Sequence, residues 1–330
     1  MLSKKQTVKI LLWPVAVFAA LFLGRYLLPG KSISISVGEG WSAGQVAAEL
    51  KNNRVIGSKT LFKLAYRLFH GRRTIAAGKY SLKTRMPAES ALRVLLRPPE
   101  KTYRRLVIPE GWRMEQVAER LDALHIARGD EFLRLAKSRG AEGYLFPSTY
   151  FFEDNTPPET VLSVMRRQFD KQVAPLLKAA NNRSLSEKEL LTIASIVERE
   201  AVMDSERPLI AAVYLNRVKL GMALEADPTV QYALGWNEKE RSWWEKGLSL
   251  KDLKYDSSYN TYRYRGIPPG PICSASVNSI KAVLAPAETN ALYFVADRTG
   301  YHIFNSKFSE HLKAKASVEA REKARNRQSR

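Results

Sequence analysis

One segment combines a helix start signal with a wide apolar stripe, and it predicts the central element of the chain. In the stretch from Ser186 to Ala201, Ser186 and Glu189 have the spacing of a capping box. Six apolar side chains then follow at helical spacing: Leu190, Leu191, Ile193, Ala194, Ile196 and Val197. At about 100° per residue, Glu198 falls inside this stripe, whereas Arg199 points to the opposite, solvent side. The pattern predicts a helix with a partly buried Glu198.

A partly buried carboxyl is suited to acid chemistry. Burial penalises the charged form, so such a group can hold a proton near neutral pH, as a general acid must. Glu200 lies about 200° from Glu198 around the helix, so only one of these carboxylates can face a given substrate bond. The structural alternative is that each glutamate is solvated or paired with Arg199 or Arg207.

The apolar patterns elsewhere predict further helices and a few short strands. Helices are predicted over residues 156–178 and 206–220, the second packed against the helix at Ser186. A buried strand is predicted over residues 291–296, with residues 301–304 as its neighbour. After Phe308 we expect a charged helix or a frayed tail. The predicted fold class is therefore α+β.

An internal repeat occupies the first half of the chain. Val37 to Leu50 reads VGEGWSAGQVAAEL and Ile108 to Leu121 reads IPEGWRMEQVAERL, with seven identities in fourteen positions. Each copy has a β-prone run before it, then a Glu-Gly-Trp turn and an amphipathic helix. A Gly-Tyr element follows, at residues 78–80 in the first copy and 143–145 in the second. Two related α+β modules are predicted, and their short strand and helix resemble a LysM-type glycan-binding module.

The amino end predicts a membrane anchor within residues 1–30. Val8 to Leu28 reaches 21 residues, long enough to span a bilayer if Lys9 and Arg25 extend to the two interfaces. A cleaved signal peptide is the alternative, but no clear small-x-small site precedes Lys31. The basic amino end would stay in the cytoplasm, with the rest of the chain outside the plasma membrane.

Composition narrows the possible functions. The 330 residues are 45% hydrophobic, which suits about two to three domains with apolar cores. The single Cys273 excludes an intrachain disulfide and a multi-cysteine zinc site, and there are only four histidines, so we expect no metal or cofactor. The net charge of +20 is concentrated between Lys51 and Arg105, with fifteen basic and two acidic residues. Nucleic acid could bind such a basic region, but the expected location outside the plasma membrane favours anionic lipid or acidic wall glycan as its partner. The alternative is a basic face that is merely solvated.

Six short motifs occur in order along the second half of the chain. They are SIVERE at 195–200, NR at 216–217, DPTVQY at 227–232, YNTY at 259–262, GIPPGPI at 266–272 and LYFVAD at 292–297. Together they resemble the endolytic murein transglycosylase family, the YceG-like proteins, and the resemblance covers nearly all of residues 32–309. It implies a single-pass membrane protein, a lyase, whose extracytoplasmic catalytic domain cleaves nascent peptidoglycan strands internally.

The resemblance also implies site residues. The glutamate after Ser-Ile-Val, Glu198, would be catalytic: it would protonate the glycosidic oxygen between N-acetylmuramic acid and N-acetylglucosamine, then deprotonate the muramoyl C6 hydroxyl to give a 1,6-anhydro end. The candidates for binding and orienting the glycan are Glu200, Asn216, Asp227, Thr229, Tyr232, Asn260 and Tyr262. For Asp227, followed by Pro228, an N-cap at a helix start is the structural alternative.

Two other functions stay open. A hydrolytic, lysozyme-like muramidase would use Asp227 or Glu200 to activate water, and a membrane-anchored wall-binding scaffold would need no catalysis. The expected partners are peptidoglycan strands, the membrane and peptidoglycan synthases, and not nucleic acid. The predicted segments are the anchor (1–30), a LysM-like module (31–100), a second repeat-like module (101–155), the catalytic domain (156–310) and a basic tail (311–330).

Overall fold

The computed structural model describes residues 30–70, 73–179, 185–297 and 299–328. They form helices and three two-stranded sheets, so the predicted α+β class is confirmed. The chain divides into two units, before and after the boundary between Thr102 and Tyr103. None of the helices in these ranges is both long and apolar enough to cross a bilayer. The predicted anchor falls on residues 1–29, outside the described residues.

The first unit is a two-stranded sheet with helices packed against its inner face. Its elements are β1 (Ser32–Val37), α1 (Ala43–Asn52), α2 (Lys59–His70), β2 (Gly78–Lys83) and α3 (Ala88–Leu95). β1 and β2 pair antiparallel, and alternate side chains of each strand point into the core because strand residues alternate between faces. Leu50, Phe62 and Leu92 are fully buried there.

The second copy of the repeat opens the second unit with the same order of elements. These are β3 (Tyr103–Ile108), α4 (Met114–Ala123), α5 (Gly129–Ser138) and β4 (Ser148–Glu153). Tyr80 in β2 and Tyr150 in β4 occupy equivalent positions, since each pairs with the fourth residue of the partner strand. Each tyrosine hydroxyl also donates to the carbonyl oxygen of the residue four positions earlier, at 2.8 Å for Tyr80 and 2.6 Å for Tyr150. The counterpart of residues 78–80 is therefore 148–150, and the predicted match to residues 143–145 is wrong.

The rest of the second unit is built around α8 (Glu187–Glu200), the helix that the capping box predicted. Ser186 Oγ accepts from the Glu189 amide at 3.3 Å, and Glu189 Oε2 accepts from the Ser186 amide at 2.8 Å. The apolar stripe of α8 packs against α9 (Arg207–Lys219) and α11 (Val277–Leu284) in one core. The elements are α6 (Pro158–Gln172), α7 (Ala174–Ala179), α8 (Glu187–Glu200), α9 (Arg207–Lys219), α10 (Asp227–Leu234), α11 (Val277–Leu284), β5 (Tyr293–Ala296), β6 (His302–Asn305) and α12 (Phe308–Gln328).

The single helix predicted over residues 156–178 is two helices. The chain breaks at Val173, between α6 and α7. Pro175 has no amide hydrogen for the helical bond, and its ring crowds the preceding turn, so it fits only the first turn of a new helix. The paired strands at 293–296 and 302–305 and the final helix agree with the prediction, but the predicted burial of the first strand is wrong, because its residues are half-buried or exposed.

Candidate active site

A polar pocket of about 240 Å³ lies at the C-terminal end of α8. Side chains from four helices, two loops and β5 line it. Its polar members include Glu200, Tyr214, Arg217, Asp227, Tyr262 and His311. Three of the predicted site residues, Glu200, Asp227 and Tyr262, are thus brought together from different parts of the sequence.

Glu200 is the last residue of α8, and its carboxyl is poised between two protonation states. Burial, with a smaller contribution from the negative charge of Asp227, raises the pKa of Glu200 to about 7 against the opposing effects of Tyr214 and Arg199. The Tyr214 hydroxyl donates to Glu200 Oε1 at 2.9 Å, so one carboxyl oxygen is already engaged by a donor. A carboxyl of this kind can both give and take a proton at neutral pH.

Asp227 faces a side chain rather than the backbone of its helix. It is the first residue of α10, Ala226 occupies the N-cap position, and no side chain caps this helix. The Tyr262 hydroxyl donates to Asp227 Oδ1 at 2.6 Å. Burial and this hydrogen bond raise the pKa of Tyr262, which keeps it a donor. The N-cap interpretation of Asp227 is therefore wrong, because its carboxylate turns into the pocket.

Glu198 is not one of the residues that line this pocket. Its Oε2 accepts from the Ser276 amide at 2.9 Å and from Ser279 Oγ at 2.7 Å, at the start of α11. It also pairs with Arg207 Nη1 at 3.2 Å, and the side chains of Arg207 and Glu198 are only 9% and 7% exposed. The predicted burial is confirmed, and Arg207, Ser276 and Ser279 hold the carboxyl in place, while its catalytic role stays a prediction.

Two predicted site residues hold loops of the second unit. Asn216 Nδ2 donates to the carbonyl oxygens of Thr289 and Ala291, at 2.9 and 3.1 Å. Asn260 is fully buried, and its Nδ2 donates to two carbonyl oxygens in the segment 253–255, at 3.0 and 2.7 Å. Both amide groups are occupied by backbone, so their contacts support the loops that carry the pocket.

The last two predicted residues also lie away from the pocket lining. Thr229 is fully buried, and its hydroxyl lies 2.9 Å from that of Thr261. Tyr232 donates to Glu142 Oε2 at 3.2 Å, and the Arg113 guanidinium lies 4.2 Å from the centre of its ring. The sequence motifs therefore mix pocket residues with residues that hold the pocket in place.

Four polar residues of the pocket lining are absent from the predicted site: Tyr214, Arg217, Glu225 and His311. Tyr214 belongs to the apolar stripe of α9 and is 2% exposed, so it resembles an ordinary core residue. Its position two residues before the Asn216-Arg217 motif is the signal that could have marked it. His311 was assigned to the basic tail, although α12 carries it into the pocket.

The Glu-Gly-Trp turn of the second repeat packs against the end of α8. The Gly111 amide donates to the Ser274 carbonyl, and the Ser274 amide donates to the Trp112 carbonyl, both at 2.8 Å. A Cβ atom on Gly111 would lie 3.1 Å from Arg199 Nη1. The Arg199 guanidinium also lies 4.0 Å from the ring centre of Trp244. Arg199 was predicted to face solvent, and that is wrong, because this turn and Trp244 cover it.

A second carboxyl with a raised pKa, Glu142, lies outside the pocket. Its Oε2 accepts from the Met114 amide and the Tyr232 hydroxyl, both at 3.2 Å. Oε1 is buried and has no hydrogen-bond partner in the part of the chain that the structure describes. Burial, with a smaller contribution from the charge of Glu115, raises the pKa of Glu142 to about 8 against the opposing effects of Met114, Arg113 and Tyr232.

Glu142 should make the stability of the protein depend on pH. Its pKa in the folded state, about 8, lies above the ordinary 4.5, so its contribution is complete below about pH 4.5 and is lost as the pH rises through 8. As the pH rises from about 6 to about 9, the unfolding free energy of Glu142→Gln should therefore fall less than that of wild type, by roughly 2 kcal/mol. Chemical denaturation at both pH values measures this, with the exposed Glu159→Gln as control. Equal pH dependence in wild type and Glu142→Gln would contradict it.

The pocket defines a class of protein. A carboxyl of raised pKa beside a second carboxylate and a tyrosine donor, in a polar concavity, is the arrangement of an enzyme that works by acid–base catalysis. The chain belongs to the YceG-like family, whose family model matches residues 35–317. The family predicted from the six motifs is therefore confirmed.

Curated relatives and a solved structure agree with the family. The chain is 33% identical over 310 residues to an endolytic murein transglycosylase of Bacillus subtilis, covering 86% of this chain and 84% of the relative. It is 29% identical to one of Streptococcus pneumoniae strain D39, covering 82% of this chain and 55% of that longer protein. A crystal structure of a YceG-like protein from Listeria monocytogenes superposes with a TM-score of 0.55 at 29% identity, covering 86% of this chain and 98% of that one. The prediction of an enzyme, a lyase, is confirmed by these relatives.

Proposed function

We propose that this protein is an endolytic lytic transglycosylase. It would cleave the β-1,4 bond between N-acetylmuramic acid and N-acetylglucosamine within peptidoglycan strands and leave 1,6-anhydromuramoyl ends. The relatives named endolytic murein transglycosylase support the reaction class. The observation that carries the mechanism is the Glu200 carboxyl, with a pKa raised to about 7 in a polar pocket.

Glu200 is the acid and then the base in this proposal. Neutral Glu200 gives its proton to the glycosidic oxygen while the bond to C1 breaks and positive charge develops on the sugar. The resulting carboxylate takes the proton of the muramoyl C6 hydroxyl, whose oxygen closes on C1. The sequence suggested Glu198 for this role, but Glu198 is engaged by Arg207, Ser276 and Ser279. The contacts of the two carboxyls favour Glu200.

Asp227 has two roles in this proposal. Its negative charge raises the pKa of Glu200, and it lies in the pocket where a positive charge would develop on the sugar. The hydrogen bond from Tyr262 fixes its orientation. A hydrolase would instead use Asp227 to activate a water molecule, so the muramidase alternative stays open and needs its own test.

The ends of the digestion products test the proposal. The full-length protein in detergent is incubated with purified sacculi, and the soluble fragments are analysed by mass spectrometry. Anhydro ends on fragments of several disaccharides support endolytic transglycosylation. Reducing ends would replace it with hydrolysis, and binding without release of fragments would favour the wall-binding scaffold.

The pH dependence of the reaction should report Glu200. Because the free enzyme must carry the proton, kcat/KM should be highest below about pH 7 and fall above it. Asp227→Asn removes a charge that raises the pKa of Glu200, so the midpoint of this fall should move to lower pH, with roughly tenfold lower kcat/KM at about pH 8. Rates of anhydro-end formation across pH measure both effects. The control is Glu225→Gln, which removes a negative charge from the same pocket and should leave the midpoint of the pH profile in place. An unshifted midpoint in Asp227→Asn would contradict the role of Asp227.

The location and partners also belong to the proposal. The anchor predicted within residues 1–30 would hold the protein in the plasma membrane, with the pocket on the outer side, where peptidoglycan strands are made. The LysM-like modules would bind glycan, and peptidoglycan synthases would be neighbours. The order strand, helix, helix, strand in both repeat modules supports their relationship to each other.

A further inference from the structure

Helix α2 carries three leucines that the first unit does not bury. Leu61, Leu64 and Leu68 are 60%, 50% and 66% exposed, whereas Phe62 on the same helix is fully buried in the core. At about 100° per residue, the three leucines fall within an arc of roughly 60°, so they form one continuous apolar stripe along the helix. Single exposed leucines are ordinary on a protein surface, but a stripe of them is typical of a helix face that contacts another apolar phase.

Basic side chains lie next to this leucine stripe. Lys63 and Arg67 are exposed beside it on α2, and the exposed Lys59 begins the helix. No aspartate or glutamate occurs between Glu49 and Glu89, so no acidic side chain of this segment neutralises them. Leucines beside lysine and arginine on one helix are typical of a helix at the surface of an anionic bilayer. There the apolar side chains enter the lipid, and the long basic side chains reach the headgroups.

The start of α2 lies at the end of the first unit where the chain enters from residue 30. The Thr84 amide donates to the Lys31 carbonyl oxygen at 2.9 Å. The next amide, that of Arg85, donates to the Arg54 carbonyl oxygen, also at 2.9 Å. Helix α2 begins five residues after Arg54. This end of the unit directly follows the segment in which the sequence predicts the membrane anchor.

The same end of the first unit is positively charged. Four exposed basic side chains share it: Lys31, Arg54, Lys83 and Arg85. A second copy of this chain would bring like charges together at α2, whereas an anionic lipid surface matches both the leucines and the charges. The charges therefore favour the bilayer as the occupant of the leucine stripe.

We propose that α2 is a membrane contact in addition to the predicted anchor. The helix lies in the headgroup region of an anionic bilayer, with Leu61, Leu64 and Leu68 in the lipid and Lys63 and Arg67 at the phosphates. This contact goes beyond the proposed function and depends on no step of the reaction. It would hold the first unit against the membrane.

A fluorescent label on α2 tests the proposal. Full-length protein with Leu64→Cys is labelled with the environment-sensitive fluorophore NBD, and the buried Cys273 is replaced by Cys273→Ser so that it cannot take the label. The protein is reconstituted in vesicles of phosphatidylcholine alone or of an equimolar mixture with phosphatidylglycerol. The matched control carries the label at Glu39→Cys, an exposed position beyond the opposite end of β1. Thermal unfolding shows that each variant is folded.

We expect the label at residue 64 to emit at shorter wavelength in the mixed vesicles and to be quenched by nitroxide-labelled lipid, whereas the label at residue 39 stays in water. Lys63→Gln combined with Arg67→Gln should lower the ratio of lipid-embedded to water-exposed label roughly 10- to 30-fold, because each removes a charge near the anionic surface. The exposed Lys79→Gln, at the far end of the sheet, is the charge control and should leave the ratio unchanged.

Several outcomes would overturn the contact. A label at residue 64 that stays in water in both kinds of vesicle would do so, as would equal quenching at residue 39. An equal signal in phosphatidylcholine alone would overturn the role of Lys63 and Arg67. A shift that follows protein density instead of lipid composition would replace the bilayer by a second copy, and a shift seen only in native membranes would replace it by a membrane protein.

The contact and the proposed function fail separately. Protein whose label at residue 64 stays in water but that still releases anhydro ends from sacculi would overturn the contact and leave the proposed function intact. Protein whose label enters the lipid but that releases no anhydro ends would overturn the proposed function and leave the contact in place.

Discussion

Replacing Glu200 by glutamine should reduce anhydro-end formation from peptidoglycan by about 1000-fold, because glutamine can neither donate nor accept the proton that the reaction transfers. Glutamine has the same shape, and its carbonyl oxygen can still accept the hydrogen bond that Tyr214 donates at 2.9 Å. The variant should therefore fold. Mass spectrometry of product ends gives the rate, and thermal unfolding gives the state of the protein.

The same variant has a clear contrary outcome. Folded Glu200→Gln protein that forms anhydro ends at a rate near that of wild type would remove Glu200 from the chemistry. In that case Glu198, the other carboxyl near the end of α8, would become the first candidate again. Tyr214→Phe serves as a milder comparison, since it removes only the donor to Oε1 and leaves the acid in place.

Glu198→Gln should have the opposite effect to Glu200→Gln: it should lower the stability of the protein without lowering its catalytic activity. The side chains of Glu198 and Arg207 are largely buried, and breaking a buried pair leaves a charge uncompensated. We expect the unfolding free energy to fall by about 3 kcal/mol, while kcat of the folded protein stays within a few-fold of wild type. Denaturant unfolding and the rate of anhydro-end formation at low temperature measure the two quantities.

A double substitution provides the control for Glu198. Combining Glu198→Gln with Arg207→Gln removes both charges, so the double variant should be more stable than the sum of the two single losses implies. Arg207 also pairs with Asp204 at 2.7 Å, so part of the coupling belongs to that contact. A stable Glu198→Gln protein without transglycosylase activity would contradict a structural role for Glu198.

The local elements were predictable because their causes are local. The capping box at Ser186 and Glu189 defines the start of α8, and alternation defines β1 and β3 within the repeat. The wrong prediction of a single helix over residues 156–178 also has a local cause. Pro175 divides that segment into two helices, and the prediction gave this proline too little weight.

The assignment of roles was less predictable because it depends on distant contacts. A helical wheel shows that Glu198 is buried, but the groups that bury it, Ser276 and Ser279, lie 78 and 81 residues further along the chain. Glu200 lies outside the apolar stripe, and its partner Tyr214 belongs to another helix. Burial alone therefore indicated Glu198 as the acid, whereas the polar groups around Glu200 favour Glu200.

The two Glu-Gly-Trp turns show how a duplicated module can diverge in importance. Gly40 and Gly111 both have positive φ angles, of 70° and 74°. A side chain at Gly40 would meet no described atom within 4 Å, whereas one at Gly111 would meet Arg199 and Glu198 at the end of α8. A side chain is disfavoured at both glycines by the positive φ angle, but only the second turn is also fixed by packing against the end of α8. The two copies are consequently no longer interchangeable, and a catalytic fragment cut at residue 156 would lack a piece of its own scaffold.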